Sequence, residues 1–215
     1  MLNCKLLFFE NNGRASIIRN LLQMSNTKFE NTYVSWEEWP KIRPNTDNSF
    51  LPQLEIDGKV FSNSVATNIY LAKKINPELL GSTPEEEYQI LQIFMSDSDI
   101  IPETFKLTFP DPDESEETNL KNHQNLLDVI SVFFTSWQKK YIKNGSGKFY
   151  IGNKLTLADF WFVHFIYHLG RTIITNFGKD LEQSFPIMMK YIDGLIDEEP
   201  FKTFFKSDLY LKGIV

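Results

Sequence analysis

The sequence predicts an α/β domain over residues 1–75, with a mixed four-stranded sheet in βαβ–ββα order, followed by an all-helical domain over 84–215. Three observations predict this. Short apolar runs of strand character, with one Asp-Gly hairpin signal, are confined to the first 75 residues. The segment 76–83, Asn-Pro-Glu-Leu-Leu-Gly-Ser-Thr, has the proline and glycine of a linker. Beyond it, apolar residues recur at helical spacing and no strand pattern is evident.

Lys5-Leu6-Leu7-Phe8-Phe9 reads as a buried strand, and Glu10-Asn11-Asn12-Gly13 is turn chemistry. Residues 14–23 place Ile17, Ile18, Leu21 and Leu22 at helical spacing. Residues 29–34 form the next strand. Residues 36–43, with Trp39 and Pro40, read as polar and irregular, and 45–49 as loop. Residues 51–56 alternate apolar and polar, Asp57-Gly58 turns the chain, and Lys59-Val60-Phe61 returns it. Ser62-Asn63-Ser64 then caps a helix whose face carries Val65, Ile69 and Leu71. This order is a thioredoxin-like unit.

In the second domain, Thr83-Pro84-Glu85-Glu86 is a helix start: a capping threonine, proline at the first position, acids in the first turn. The helix extends to about 109, with an interruption or kink at Pro102. Pro110-Asp111-Pro112-Asp113 breaks the chain before a helix over 114–142, and Asn144-Gly145-Ser146-Gly147 is a turn. Thr156 and Asp159 form an aspartate variant of the capping box. The helix that follows to His168 is apolar nearly all round and is expected to be buried. Further helices begin at Phe185-Pro186 and Pro200-Phe201.

Composition narrows the function. With 42% hydrophobic and 23% charged residues the chain is an ordinary globule, and 19 phenylalanines point to an aromatic core. A net charge of −6 without a long basic run argues against nucleic acid as a partner. Apolar runs fall short of the roughly 20 residues that span a bilayer. The N-terminus lacks a signal peptide's apolar region and cleavage site, so a cytoplasmic protein without a membrane partner is expected. The single cysteine, Cys4, excludes an internal disulfide. His164 and His168, four apart, make a poor two-ligand site, and His123 stands alone; no metal is expected.

The stretch 51–74 carries more than fold grammar. Pro52 opens a strand without donating to its ladder, which leaves neighbouring backbone groups available to a ligand. Asn63-Ser64 stands at a helix N-terminus, which attracts a carboxylate. Leu51-Pro52-x-Leu54-x-x-Asp57-Gly58, then Ser64 and Ala66-x-x-x-Tyr70-Leu71-Ala72, resembles the glutathione-binding half of the cytosolic glutathione S-transferases. Gly13-Arg14-Ala15-Ser16-Ile17-Ile18-Arg19 is similar to a motif of the sigma-type members, the prostaglandin D synthase-like and S-crystallin-like branch. Gly152-Asn153-x-Leu155-Thr156-x-Ala158-Asp159 matches the family's N-capping motif, a folding element.

The resemblance implies that the residue before a cis-proline, Leu51 with Pro52, pairs with the cysteinyl backbone of glutathione. It implies that Asn63 and Ser64 hold the γ-glutamyl carboxylate and that Trp39 and Arg43 contact the glycyl end. Phe8 and Arg14 complete the pocket. An acid on the first helix of the helical domain, Asp99 or else Asp97, reaches across a homodimer. Glutathione is then a cosubstrate, a small electrophile its partner, and no tightly bound cofactor is implied.

The sequence departs from the family pattern at Phe8, where tyrosine-type members carry the hydroxyl that stabilises the thiolate. Phe50 replaces a lysine or glutamine, and Asn63 a longer glutamine. Asn11 and Asn12, in the turn where serine-type members place their hydroxyl, are the candidate substitutes; Ser16 and Cys4 are not. Two readings follow: a transferase conjugating glutathione to small electrophiles at a reduced rate, with isomerase or peroxidase chemistry as neighbours, or a non-catalytic relative with a structural or interaction role.

Overall fold

The computed structural model describes residues 4–46, 48–109, 111–145, 147–168 and 177–212. Asp47, Pro110 and Ser146 of the expected loops lie outside them, as does the side chain of His168. Compactness divides the chain into two units, one of residues up to Leu79 together with those from Asp197 onward, the other Leu80–Ile196.

In the first unit β1 (Cys4–Phe9) is central. It runs parallel to β2 (Glu30–Val34) and antiparallel to β3 (Gln53–Ile56), which pairs antiparallel with β4 (Lys59–Ser62), in the order β2-β1-β3-β4. Asp57 and Gly58 take φ values of 50° and 78°, the left-handed pair a two-residue hairpin needs. A 3-10 turn at Gly13–Ala15 leads into α1 (Ser16–Met24), whose Ile18, Leu21 and Leu22 are buried. The segment expected to be irregular instead forms a short helix, α2 (Trp39–Ile42), and a 3-10 turn, Arg43–Asn45. Proline stands in the first turn of each, where its missing N–H has no helical partner to lose, so this polar stretch closes into helical turns. Helix α3 (Ser64–Ile75) packs on α1.

In the second unit, α4 (Pro84–Met95) is capped by Thr83 and followed by α5 (Asp97–Thr108). The break expected at Pro102 lies at Ser96. There the serine hydroxyl bonds back to the Ile93 carbonyl at 2.5 Å, which competes with the backbone ladder. Pro102 sits inside α5 and removes one intrahelical bond without ending the helix. Then come α6 (Glu116–Lys143), α7 (Leu157–His168), α8 (Phe177–Ser184) and α9 (Pro186–Ile196). Residues 157–166 of α7 are buried without exception, and Phe134, Trp137, Trp161 and Phe162 form a ring cluster around it. Helix α8, unforeseen from sequence, buries Phe177, Gly178 and Leu181.

The last helices, α10 (Phe201–Phe205) and α11 (Asp208–Leu211), return to the first unit, so the helical unit is shorter than the 84–215 expected. The cause is burial: Phe201, Phe204, Phe205 and Tyr210 are buried, α10 packs on α1, and Asn12 Nδ2 donates to the Tyr210 carbonyl at 2.8 Å. Among the described residues, no helix is long and apolar enough to cross a membrane.

Candidate functional site

Strand register gathers most of the proposed positions at one edge of the sheet. Leu7 lies opposite Gln53, and Gln53 opposite Ser62. The C-terminal end of β1, the Leu51-Pro52 entry to β3 and Asn63-Ser64 after β4 are therefore neighbours. Because β2 is parallel to β1, with Phe9 opposite Val34, the segment carrying Trp39 and Arg43 leaves from the same edge. The Leu51-Pro52 peptide is cis. Gln53 Nε2 donates to the Asn48 carbonyl and, at 3.3 Å, to that of Phe50, which braces the loop before Pro52. Phe50 itself is 65% exposed.

Asn63 takes φ of 69°, a conformation asparagine tolerates better than most residues. Its Oδ1 accepts from Ala66 N at 3.1 Å and caps α3, while Ser64 is buried at the first position of that helix. The first amides of a helix have no partners within it, so this end suits an anion. Arg14 and Arg43 are exposed and Trp39 is half-buried. Asp99 belongs to the second unit, exposed in the first turn of α5. Asp97, the other acid considered, is half-buried and accepts from Trp161 Nε1 at 2.5 Å, which ties α5 to α7.

Phe8 is 5% exposed. A Cβ at Gly13 (φ +31°) would stand 3.2 Å from the Phe8 ring and 2.7 Å from Asn11 Oδ1. Glycine is needed there, and the Asn11 carboxamide and the edge of the Phe8 ring border the same small space. Asn12 is fully buried, and one N–H of its carboxamide donates to the Tyr210 carbonyl at 2.8 Å, which ties that side chain to α11.

Arg19 was not anticipated. Its Nη1 donates to the Asn11 carbonyl at 2.6 Å and its Nε to Asn31 Oδ1 at 3.4 Å. The guanidinium lies 5.9 Å from the Phe8 ring centre and 5.6 Å from that of Tyr33, two residues that face each other across β1 and β2. Burial pushes its pKa down to about 10, with Tyr33 opposing, so it is charged at neutral pH. The available signal was an arginine set among Ile18, Leu21 and Leu22.

Cys4 is buried in β1, its thiol pushed up to about 11 by burial and then by Asp57. Alkylation of the native protein near neutral pH should run roughly a hundredfold slower than for an exposed thiol. Labelling at equal rates before and after unfolding would contradict that. Among the described residues, no three histidine, cysteine, aspartate or glutamate side chains form a group able to hold a metal.

The model of the glutathione S-transferase C-terminal domain matches residues 98–208. The chain belongs to the glutathione S-transferase family. Hematopoietic prostaglandin D synthase of Rattus norvegicus is 31% identical over 75% of this chain and 76% of its own. The class-mu 28 kDa glutathione S-transferase of Schistosoma haematobium is 29% identical over 95% and 94%. A glutathione S-transferase of the hookworm Necator americanus, described as monomeric, shares the fold with a TM-score of 0.82 at 22% identity, over 96% of this chain and 97% of its own.

Proposed function

We propose that the chain binds glutathione at the β1–β3–β4 edge and joins its sulfur to small electrophiles. The observation that carries this reading is the juxtaposition of the Leu51-Pro52 backbone with the N-terminus of α3. In it, Leu51 pairs with the cysteinyl backbone, and Asn63 and Ser64 receive the γ-glutamyl carboxylate. Trp39 and Arg43 hold the glycyl end, and Arg14 and the Phe8 ring enclose the thiol. Asp99, with Asp97 as the alternative, reaches a partner's site in a cytoplasmic homodimer. The thiol proton passes to solvent, the thiolate forms a C–S bond, and the leaving group departs with its electron pair. Asn11, beside Phe8, offers an amide donor to the sulfur.

Two observations favour a second reading, a non-catalytic member of the family. Phe8 has no hydroxyl, and Asn63 Oδ1 is already engaged with Ala66 N.

Calorimetric titration of reduced glutathione, paired with conjugation to an aryl halide, tests both. Binding with slow turnover is the expected result; no binding at millimolar glutathione overturns the enzyme reading. Asn11→Ala should lower turnover severalfold with affinity unchanged. Asn12→Ala should instead lower stability by about 1–3 kcal/mol, since the Tyr210 carbonyl loses its buried donor. Unchanged turnover in Asn11→Ala removes that residue from the chemistry.

A further inference from the structure

Arg19 is 0% exposed, and among the described residues no carboxylate pairs with it. Its Nη2 has no hydrogen-bond partner there. A buried charge without a counter-ion is expensive, and a well-packed apolar side chain would serve the fold better. The guanidinium is held in place all the same. The Asn11 carbonyl fixes one nitrogen, Asn31 another, and the rings of Phe8 and Tyr33 flank it. Asn31 in turn donates to the Tyr33 hydroxyl at 2.6 Å, so the two polar neighbours on β2 hold each other in place. Tyr33 is the titratable group that faces Arg19 electrostatically.

We propose that Arg19 is a positioning residue whose unneutralised charge, held behind the Phe8 ring, keeps the glutathione sulfur in its thiolate form. The inference rests on the glutathione reading of this site. Phe8 cannot donate a hydrogen bond to the sulfur, but an apolar ring transmits a field with little screening. The guanidinium lies 5.9 Å from the ring centre, so a sulfur packed against the other side of the ring would lie roughly 10 Å from it. At an effective dielectric of about 20, a unit charge there favours the thiolate by about tenfold. Arg19 exchanges no proton and forms no bond in the reaction. It biases the thiol's ionisation, and it holds Asn11 through the same guanidinium.

The test reads the thiolate absorbance of bound glutathione across pH in the unaltered protein, Arg19→Met, Arg19→Lys and Asn31→Asp. Arg19→Met removes the charge, and Asn31→Asp neutralises it in place by supplying a carboxylate beside Nε. Both should lower the thiolate fraction near neutral pH by about tenfold, with affinity for S-methylglutathione unchanged. Arg19→Lys should retain the thiolate. A merely structural arginine predicts otherwise: Asn31→Asp would then leave the thiolate fraction unmoved. If Arg19→Met does not fold, Asn31→Asp decides alone. An unmoved thiolate fraction in a variant that binds glutathione overturns the role of Arg19 while the site stands. Absence of glutathione binding by the unaltered protein overturns both.

Discussion

Asp159→Ala is expected to destabilise the helical unit by about 3–5 kcal/mol, a large part of the stability of an ordinary domain. Asp159 is 0% exposed and accepts four hydrogen bonds. Tyr150 N (2.9 Å) and the Tyr191 hydroxyl (2.5 Å) reach Oδ1; Thr156 N (2.7 Å) and Thr156 Oγ1 (2.9 Å) reach Oδ2. The carboxylate thus closes the capping box of α7 and binds the start of that helix to α9 and to the preceding loop. Alanine leaves four donors buried without an acceptor, and each such loss costs about 1–3 kcal/mol before relaxation. Asp159→Asn keeps one oxygen and should lose less. Urea unfolding measures both; a midpoint for Asp159→Ala near that of the parent would refute the assignment.

The same residue gives a pH dependence. Burial raises the Asp159 carboxyl above its usual range, against the pull of the hydrogen bonds from Tyr191, Tyr150 and Thr156. The folded state then binds more protons than the unfolded one between the ordinary and the raised values. The parent's stability should fall, relative to Asp159→Asn, as pH rises through that window. A parent whose advantage over Asp159→Asn grows across the window would reverse the sign.

What was legible in the sequence followed local periodicity and caps. The strand alternation from Leu51, the Asp57-Gly58 turn and the Thr156–Asp159 box each write their geometry into adjacent residues. Helix α2 escaped because four residues cannot display a 3.6 period, and Trp39-Pro40 looks like a loop. The break at Ser96 escaped because proline is the stronger local signal, although Pro102 is tolerated where it stands. The return of α10 to α1 is long-range burial, which no local pattern encodes. The burial of Asn12 and of Arg19 is not legible in the sequence, for one reason. Polar residues near a turn are read as solvated, and only the pairing of Phe8 with Tyr33 and the approach of Tyr210 bury them.

Phe8→Tyr is expected to raise conjugation turnover by roughly ten- to hundredfold. A hydrogen bond to a charged acceptor is worth about 1.5–3 kcal/mol, and each tenfold in rate corresponds to about 1.4 kcal/mol. The substitution adds one oxygen to the para carbon of a ring whose position β1 and Gly13 already determine. Gly13, lacking a Cβ, leaves room at that end of the ring, and the Asn11 carboxamide gives the new hydroxyl a polar neighbour. With Arg19 behind the ring, the phenol becomes a better donor, because a nearby cation favours giving up its proton. Phe8→Tyr should therefore gain less when combined with Arg19→Met than alone, and the difference measures their coupling. The gain should be in kcat, with glutathione affinity unchanged, since a donor to the thiolate acts on ionisation and not on the peptide backbone. A Phe8→Tyr variant that binds glutathione normally and turns over no faster would mean that the sulfur does not sit at the end of β1. The roles given to Asn11 and Arg19 would then fall together with that of Phe8.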